Sequence, residues 1–340
     1  MEPTADVRDI SRTAHGHDAA PLYIHGAGSF SPPSSSVCEV ASALGVDASD
    51  YRGWDRFCRA EPDQHPSTMA AEAARRALAA AGRTPASLRL VVHSGVSRDY
   101  PPSWSVATEI IRLLGGGPSC LGIDVALGCV GTLAALELAR TWLGANAGGH
   151  GIVAAAERWT YTVSRTDPAQ ARLWSHSDGA GAVAVGSDPA PGAFAFLGAC
   201  FATRPEMNDH VLVEYGGTRN PMPPPGRDPF ARRLSGRTYK EVISIYRDGY
   251  GEAFRGALER FPGPLSRLVC NQVSPTIVAI LSELSGVPPA ALITTGHEQG
   301  HQGAADVLVG LERLGPLKSG ERVAVAASAP YAFGVGIVVA

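Results

Sequence analysis

Cys129 stands in the segment LGCVG, with Gly128 before it and Gly131 two residues after. Two glycines permit a sharp turn that sets the thiol at the start of a helix. Backbone amides and the helix dipole there favour thiolate over thiol. His301 stands in GHEQGHQG, among Gly296, Gly300 and Gly303. A thiol beside an imidazole is the arrangement of nucleophilic catalysis. The other cysteines, 38, 58, 120, 200 and 270, show no CxxC spacing and read as small buried apolar groups. His297 to His301 also spells HExxH, the zinc-protease pattern, which needs both histidines on one helical turn. Here glycines crowd the segment, a strand-like ALITT precedes it, and Ala304 stands where the extended zinc motif has Gly. No metal is expected.

The elements that must position Cys129 and His301 occur twice, in the same order. The first half reads as helix TMAAEAARRALAAAG, strand LRLVVHSGV, helix SVATEIIRLLGG and strand GIDVAL. Gly128 and Cys129 follow, then helix GTLAALELARTWLG, strand GIVAAAE and the Gly-rich DGAGAVAVG. The second half reads as helix YGEAFRGALERF, strand SRLVCNQVS, helix TIVAILSELSG and strand ALITTG. Loop HEQGHQG, helix AADVLVGLERLG, strand ERVAVAASAP and FGVGIVVA complete it. Cys129 and His301 thus occupy equivalent strand-to-helix junctions, which a pseudo-twofold axis would bring to one cleft. The alternation predicts a layered α/β fold. Residues 1–20 read as a loosely held tail, 21–187 as the half with Cys129, and 188–340 as the half with His301. Within the latter, residues 201–237 form a long irregular insertion of the sort that shapes a binding pocket.

Bulk properties narrow the class. The 340 residues are 45% hydrophobic and 18% charged, with a formal net charge of −3. That is material for a large core and not the basic footprint of a nucleic-acid binder. The N-terminal stretch lacks the apolar run of a signal peptide, and no later run is long enough to span a bilayer. A cytoplasmic location with reduced thiols is expected, with neither membrane nor nucleic acid as partner.

The motifs match a family. DVALGCVGTL resembles the nucleophile segment of ketoacyl synthase III enzymes, a branch of the thiolase superfamily. HSDGAGAVAV resembles their mid-chain glycine signature and PYAFGVGIVVA their C-terminal loop. The stretch from LYIHGAGSFSP through RGWDRF to STMAAEAARRALAAAG resembles their N-terminus. The resemblance implies a thiolase fold, two pseudo-symmetric halves forming a five-layered α-β-α-β-α sandwich, and a homodimer paired through edge strands of the first half.

Against that pattern two residues are exchanged. The family's HQAN reads NQVS here, so Asn271 holds the His position, and its GN motif reads GHQGAAD, so His301 holds the Asn position. Ser274 and Thr276 replace a common Asn and Arg, which departs from the usual carrier-protein or CoA docking. Relatives that transfer acyl groups in antibiotic biosynthesis, without forming carbon–carbon bonds, resemble this chain in carrying such a His, with an Asp five residues on. Asp306 holds that place. The implied triad is Cys129 as nucleophile, His301 as general base and Asp306 as its orienter. Asp306 can reach His301 only if the histidine lies in the loop before the helix. Asn271 reads as a spectator or a hydrogen-bond donor in the pocket. By resemblance, the backbone N–H of Cys129 and one from a turn at Gly334–Val335 would form the oxyanion hole. Trp54 falls near a family tryptophan that stacks on the donor nucleotide, and reads equally as a structural aromatic. The implied activity is acyl transfer from an acyl carrier protein or CoA thioester to a hydroxyl or thiol acceptor, a sugar, biosynthetic intermediate or second carrier protein. Beyond the donor's own phosphopantetheine or CoA, no cofactor is implied. The alternative is decarboxylative condensation with malonyl-carrier protein, Asn271 and His301 serving in exchanged places.

Overall fold

The computed structural model describes residues 20–340 apart from 50, 102, 147–148 and 231, so the tail expected over 1–20 lies, but for Ala20, outside the described residues. In chain order the first half contains β1 (Leu22–Phe30), β2 (Ser34–Ser36), α1 (Val37–Ala43), β3 (Arg56–Cys58) and α2 (Pro66–Ala80). It continues with β4 (Leu88–Ser94), α3 (Val106–Leu114), β5 (Leu121–Val125), α4 (Gly131–Ala145), β6 (His150–Glu157) and β7 (Gly179–Gly186). The second half contains β8 (Phe194–Thr203), β9 (Val211–Val213), β10 (Arg232–Leu234), α5 (Tyr239–Arg260) and β11 (Arg267–Cys270). After these come α6 (Pro275–Ser285), β12 (Leu292–Ile293), α7 (Gly296–Gln299), α8 (Asp306–Leu314), β13 (Arg322–Ala329) and β14 (Ala332–Val339).

The duplication is visible in the strand order, β12-β11-β13-β14-β8 joined to β1-β7-β6-β4-β5. Read outward from the seam, the two halves repeat the same arrangement. β4 runs parallel to β5 and β6, as β11 does to β12 and β13, while β7 and β14 run antiparallel to their neighbours. At the seam β1 meets β8 over three pairs, from Leu22 with Phe196 to Ile24 with Phe194.

Alternate side chains on the strands divide the interior into three apolar slabs. Val153 and Ala155 of β6 face a central slab, while Ile152, Ala154 and Ala156 face an outer one with α2 and α3. Val323, Val325 and Ala327 of β13 face the same central slab from the other side. Ala324 and Ala326 face a second outer slab with α5 and α6. The central slab holds α4 and α8, through Leu133, Leu136, Val307 and Leu308 among others. Helices, sheet, helices, sheet and helices thus form five layers, as the resemblance implied.

Several expectations need adjustment. α5 starts at Tyr239 rather than Tyr250, because Thr238 and Glu241 close a capping box at that point. β12 is only two residues long, and the segment HEQGHQG contains the single turn α7. The stretch 201–237 is not irregular throughout: β8 runs to Thr203, and β9 pairs antiparallel with β10. The division at 187/188 falls between β7 and β8. No helix among the described residues is long and apolar enough to cross a membrane.

The first outer slab depends on close approach. α2 turns Ala70, Ala73, Ala74 and Ala77 toward the sheet, and β1 answers with Gly26 and Gly28. A Cβ at Gly28 would stand 2.6 Å from Ala73 O and from Ala77 N, backbone atoms that cannot turn aside. Gly28→Ala should therefore cost about 1–3 kcal/mol or more through overpacking. Gly117→Ala, where nothing lies within 4 Å, should be close to neutral. Denaturant midpoints of the two variants check this; equal shifts would refute the close packing.

Candidate active site

The strand-to-helix junctions meet in the central layer. Cys129 sits in a 3-10 turn, Gly128–Val130, directly before α4. Gly128 has φ +57°, and a Cβ there would stand 2.7 Å from Ala329 Cβ, so glycine alone satisfies both the backbone and the space. The start of α4 is tied to the opposite half: Thr132 Oγ1 donates to Ala304 O at 2.6 Å and lies 3.1 Å from Ser94 Oγ.

His301 lies in the loop before α8, as contact with Asp306 requires. Its N–H donates to Ser175 O at 2.8 Å and its carbonyl accepts from Ser177 N at 2.9 Å. These bonds fix the backbone on both sides. Gly300, φ +71°, turns the chain where a Cβ would collide with Arg56 O and Ser175 O. His301 Nε2 stands 3.9 Å from Cys129 Sγ, and Nδ1 stands 2.5 Å from Asp306 Oδ2. Asp306 is the first residue of α8, 1% exposed, and accepts from Gln302 N at 2.8 Å and Gln272 N at 2.7 Å. These donors orient its carboxylate. With Asp306 beside Nδ1, the Nδ1–H tautomer leaves the Nε2 lone pair facing the sulfur. The HExxH reading is not met by geometry: α7 ends at Gln299, His297 is exposed, and His301 is engaged elsewhere.

The electrostatics differ from the expectation of a thiolate at rest. Burial pushes the Cys129 thiol well above 9.0, and the charges of Glu157 and Asp306 add to this. Arg232 and the cysteine's own amide oppose it, and burial wins. Glu157 is itself raised by burial, although Val96 N, Ser97 N and Ser97 Oγ donate to it at 2.9, 3.0 and 2.8 Å.

A cavity of about 650 Å³ opens onto the pair, lined by Cys129 and His301. Its walls are mostly apolar, with Leu173, Val211, Leu212, Leu234, Val242 and Ile277 among them. β9 and β10 supply part of this wall, so the insertion does border the pocket. His176 and Arg232 line it as well, and sequence reasoning missed both as site residues. His176 was visible only as part of the glycine signature, and Arg232 only as one arginine of a loop. His176 sets its ring edge-to-face against His301, centroids 4.8 Å apart. Burial, with His301 and Arg232 nearby, holds its imidazole well below 6.5 and so neutral.

Other predicted residues fall differently. Asn271 is fully buried and does not line the cavity. Its Nδ2 donates to Ser328 O at 3.0 Å and its Oδ1 accepts from Tyr250 Oη at 2.9 Å, so it is a clamp within the fold and not a donor to the pocket. Gly334 and Val335 are not in a turn: they lie inside β14, hydrogen-bonded between β13 and β8, which engages both strand edges. The turn that borders the cavity is Ala329–Tyr331. Trp54 donates its indole N–H to Gln272 O at 2.8 Å, and its ring fills the space that a side chain at 296 would need. Trp54 does not line the cavity, whereas Ser274 and Thr276 do.

A thiol raised in this way gains thiolate as pH climbs toward its own pKa. Alkylation of Cys129 by iodoacetamide, followed on its tryptic peptide, should rise about tenfold per pH unit from pH 7 to 9. A plateau below pH 8 would show a preformed thiolate–imidazolium pair instead.

Comparison with known proteins places this geometry. The model of 3-oxoacyl-[acyl-carrier-protein (ACP)] synthase III matches residues 123–204, the segment from β5 through the Cys129 turn to the end of β8. The chain is 28% identical over 301 residues to a beta-ketoacyl-[acyl-carrier-protein] synthase III of Sphingopyxis alaskensis, covering 86% of this chain and 90% of that one. It is 31% identical over 263 residues to beta-ketoacyl-[acyl-carrier-protein] synthase III 4 of Streptomyces coelicolor, covering 75% and 76%. An OleA variant of Xanthomonas campestris shares the fold at 21% identity, with a TM-score of 0.81 over 95% of this chain and 99% of that one. With its nucleophile turn inside the matched segment and a relative aligned over most of both chains, the protein belongs to the 3-oxoacyl-[acyl-carrier-protein] synthase III family.

Proposed function

We propose that this enzyme is an acyltransferase that carries its acyl group on Cys129 and delivers it to a hydroxyl or thiol acceptor. The observation that carries the reading is the buried chain Cys129 Sγ, His301 and Asp306, at 3.9 Å and 2.5 Å. The loading step starts with a thiol. His301 Nε2 takes the Cys129 proton as sulfur attacks the thioester carbonyl, and the leaving pantetheine thiolate then takes that proton. In the second step His301 removes the proton of the acceptor as it attacks the acyl-cysteine, and returns it to the departing Cys129 sulfur. Asp306 holds the Nδ1–H and stabilises the imidazolium formed in each step.

The oxyanion needs fixed donors. On this reading one of them is the Cys129 N–H, beside the β13–β14 turn, where Pro330 has no N–H to offer. The donor is an acyl carrier protein or CoA thioester, the substrates of the family. The acceptor is a sugar, a biosynthetic intermediate or a second carrier protein, in polyketide or antibiotic assembly. Asn271 supports transfer over condensation, because it is bonded to Ser328 and Tyr250 and does not line the cavity that would hold a malonyl thioester.

A homodimer is part of the proposal. β5 ends the sheet on its side, with Leu121 exposed, and an edge strand of this kind can pair antiparallel across a twofold axis. Light scattering at micromolar concentration should give twice the chain mass; a monomer alone would count against it.

Chemistry is tested by intact-protein mass spectrometry with a panel of acyl thioesters. Cys129→Ala should gain no acyl mass. His301→Ala should slow transfer by about 10²–10⁴ and Asp306→Asn by less, the usual span for general-base assistance. Malonyl thioester should be handed on intact. Stoichiometric carbon dioxide with a β-keto product would instead establish decarboxylative condensation.

A further inference from the structure

Arg232 is a buried charged group of the cavity that the proposed mechanism leaves unused. It projects from β10 into the cavity that holds Cys129 and is 9% exposed. Its guanidinium stacks on the face of Trp159, 3.6 Å from the ring centroid, which fixes its plane and shields one side. Burial pushes it down to about 10, so it stays charged at neutral pH. Among the described residues no carboxylate oxygen lies within 4 Å of it. Glu157, the nearest acid acting on it, is bound by three donors from Val96 and Ser97 and does not line the cavity.

A buried guanidinium without an anion is costly, and such groups are paired when their site is filled. Its planar fork of donors matches a carboxylate. The remaining walls are largely apolar, and Glu157, the acid whose charge acts on Arg232, makes no ion pair with it within 4 Å. We infer that Arg232 binds a free carboxylate on the acyl group itself, making the preferred donor a short dicarboxylic acyl thioester of the malonyl to glutaryl type. Cys129 and Arg232 line one cavity of about 650 Å³, and the Arg232 charge acts on the Cys129 sulfur, so the carboxylate subsite lies toward the thioester. Trp159 is a positioning residue in this arrangement, and His176, neutral and beside both rings, completes the polar end of the cavity.

This inference rests on acyl loading of Cys129, and the test separates the two. Malonyl-, succinyl- and glutaryl-CoA are compared with propionyl-, butyryl- and valeryl-CoA, reading the loading rate of Cys129 by intact mass. Wild-type enzyme should load at least one dicarboxylic group ten times faster than its matched monocarboxylic partner. Arg232→Met should lower that dicarboxylic to monocarboxylic ratio about 10²-fold, the usual scale for stranding a buried charge partner. Arg232→Lys should restore part of it. Monocarboxylic loading as fast as dicarboxylic in the wild type overturns the inference while leaving acyl-Cys129 standing, and needs no variant to be folded. An equal fall for both classes in Arg232→Met also overturns it, since Arg232 would then serve the thiolate or the fold. Failure of every thioester to load would remove both readings.

Discussion

Everything at the site depends on α4 and α8 sharing the middle layer. Each is the crossover helix of its own half, and each begins where its preceding strand or turn ends at the carboxyl side of a sheet. Burying the two helices against both sheets, through Leu133, Leu136, Val307 and Leu308, sets their N-terminal ends side by side. The hydrogen bond from Thr132 Oγ1 to Ala304 O fixes that approach to within one residue of register. A thiol three residues before Thr132 and an imidazole three residues before Ala304 then face each other without further device. The Cys129–His301 encounter is a by-product of how a duplicated fold closes its own core.

That dependence explains which parts could be read from sequence. The central strands and helices follow from strong apolar periodicity and matching glycine-rich endings, and the Cys129–His301 encounter follows from the duplication alone. Asp306 was placed by the family likeness, on the condition that His301 precedes α8, and the structure meets that condition. What escaped were contacts set by tertiary packing of irregular segments. Trp54 was placed by a family likeness, yet its position comes from the gap at Gly296 and from Gln272 O. The Gly334–Val335 pair, placed in a turn by the family likeness, failed for a different reason: Gly334 relieves crowding inside a strand against Leu133 and Phe201. Arg232 could not be singled out, because nothing local distinguishes an arginine that turns inward from its neighbour Arg233, which pairs with Glu214 at the surface.

The charges around Cys129 are arranged against a free thiolate. Glu157 and Asp306 raise the thiol, burial raises it further, and only Arg232 and a backbone amide pull the other way. On the proposed mechanism the thiol stays protonated until His301 takes its proton in concert with attack. The arrangement also gives Asp306 two effects of opposite sign. Through its bond to Nδ1 it orients the imidazole, and through space it disfavours the thiolate. Neutralising it would therefore change both terms at once, so its removal should cost less than the loss of the imidazole.

The exchange of residues between positions 271 and 301 is best understood through the partners each side chain finds. At 271 the side chain is enclosed by β13 and α5, with Ser328 O and Tyr250 Oη within bonding distance. An amide suits those partners, one acceptor and one donor. A histidine there would have to leave them unsatisfied or turn toward the cavity. At 301 the side chain meets Asp306 on one side and sulfur on the other, and only an imidazole can accept a proton from one while donating to the other. Moving the histidine from 271 to 301 thus trades a donor aimed at a substrate carbonyl for a base backed by a carboxylate. Stabilising an enolate needs two donors and no base, whereas activating an acceptor hydroxyl needs one base and no second donor. The proposed transfer reading rests on the second requirement, which Cys129, His301 and Asp306 fit, while Asn271 lies enclosed away from the cavity.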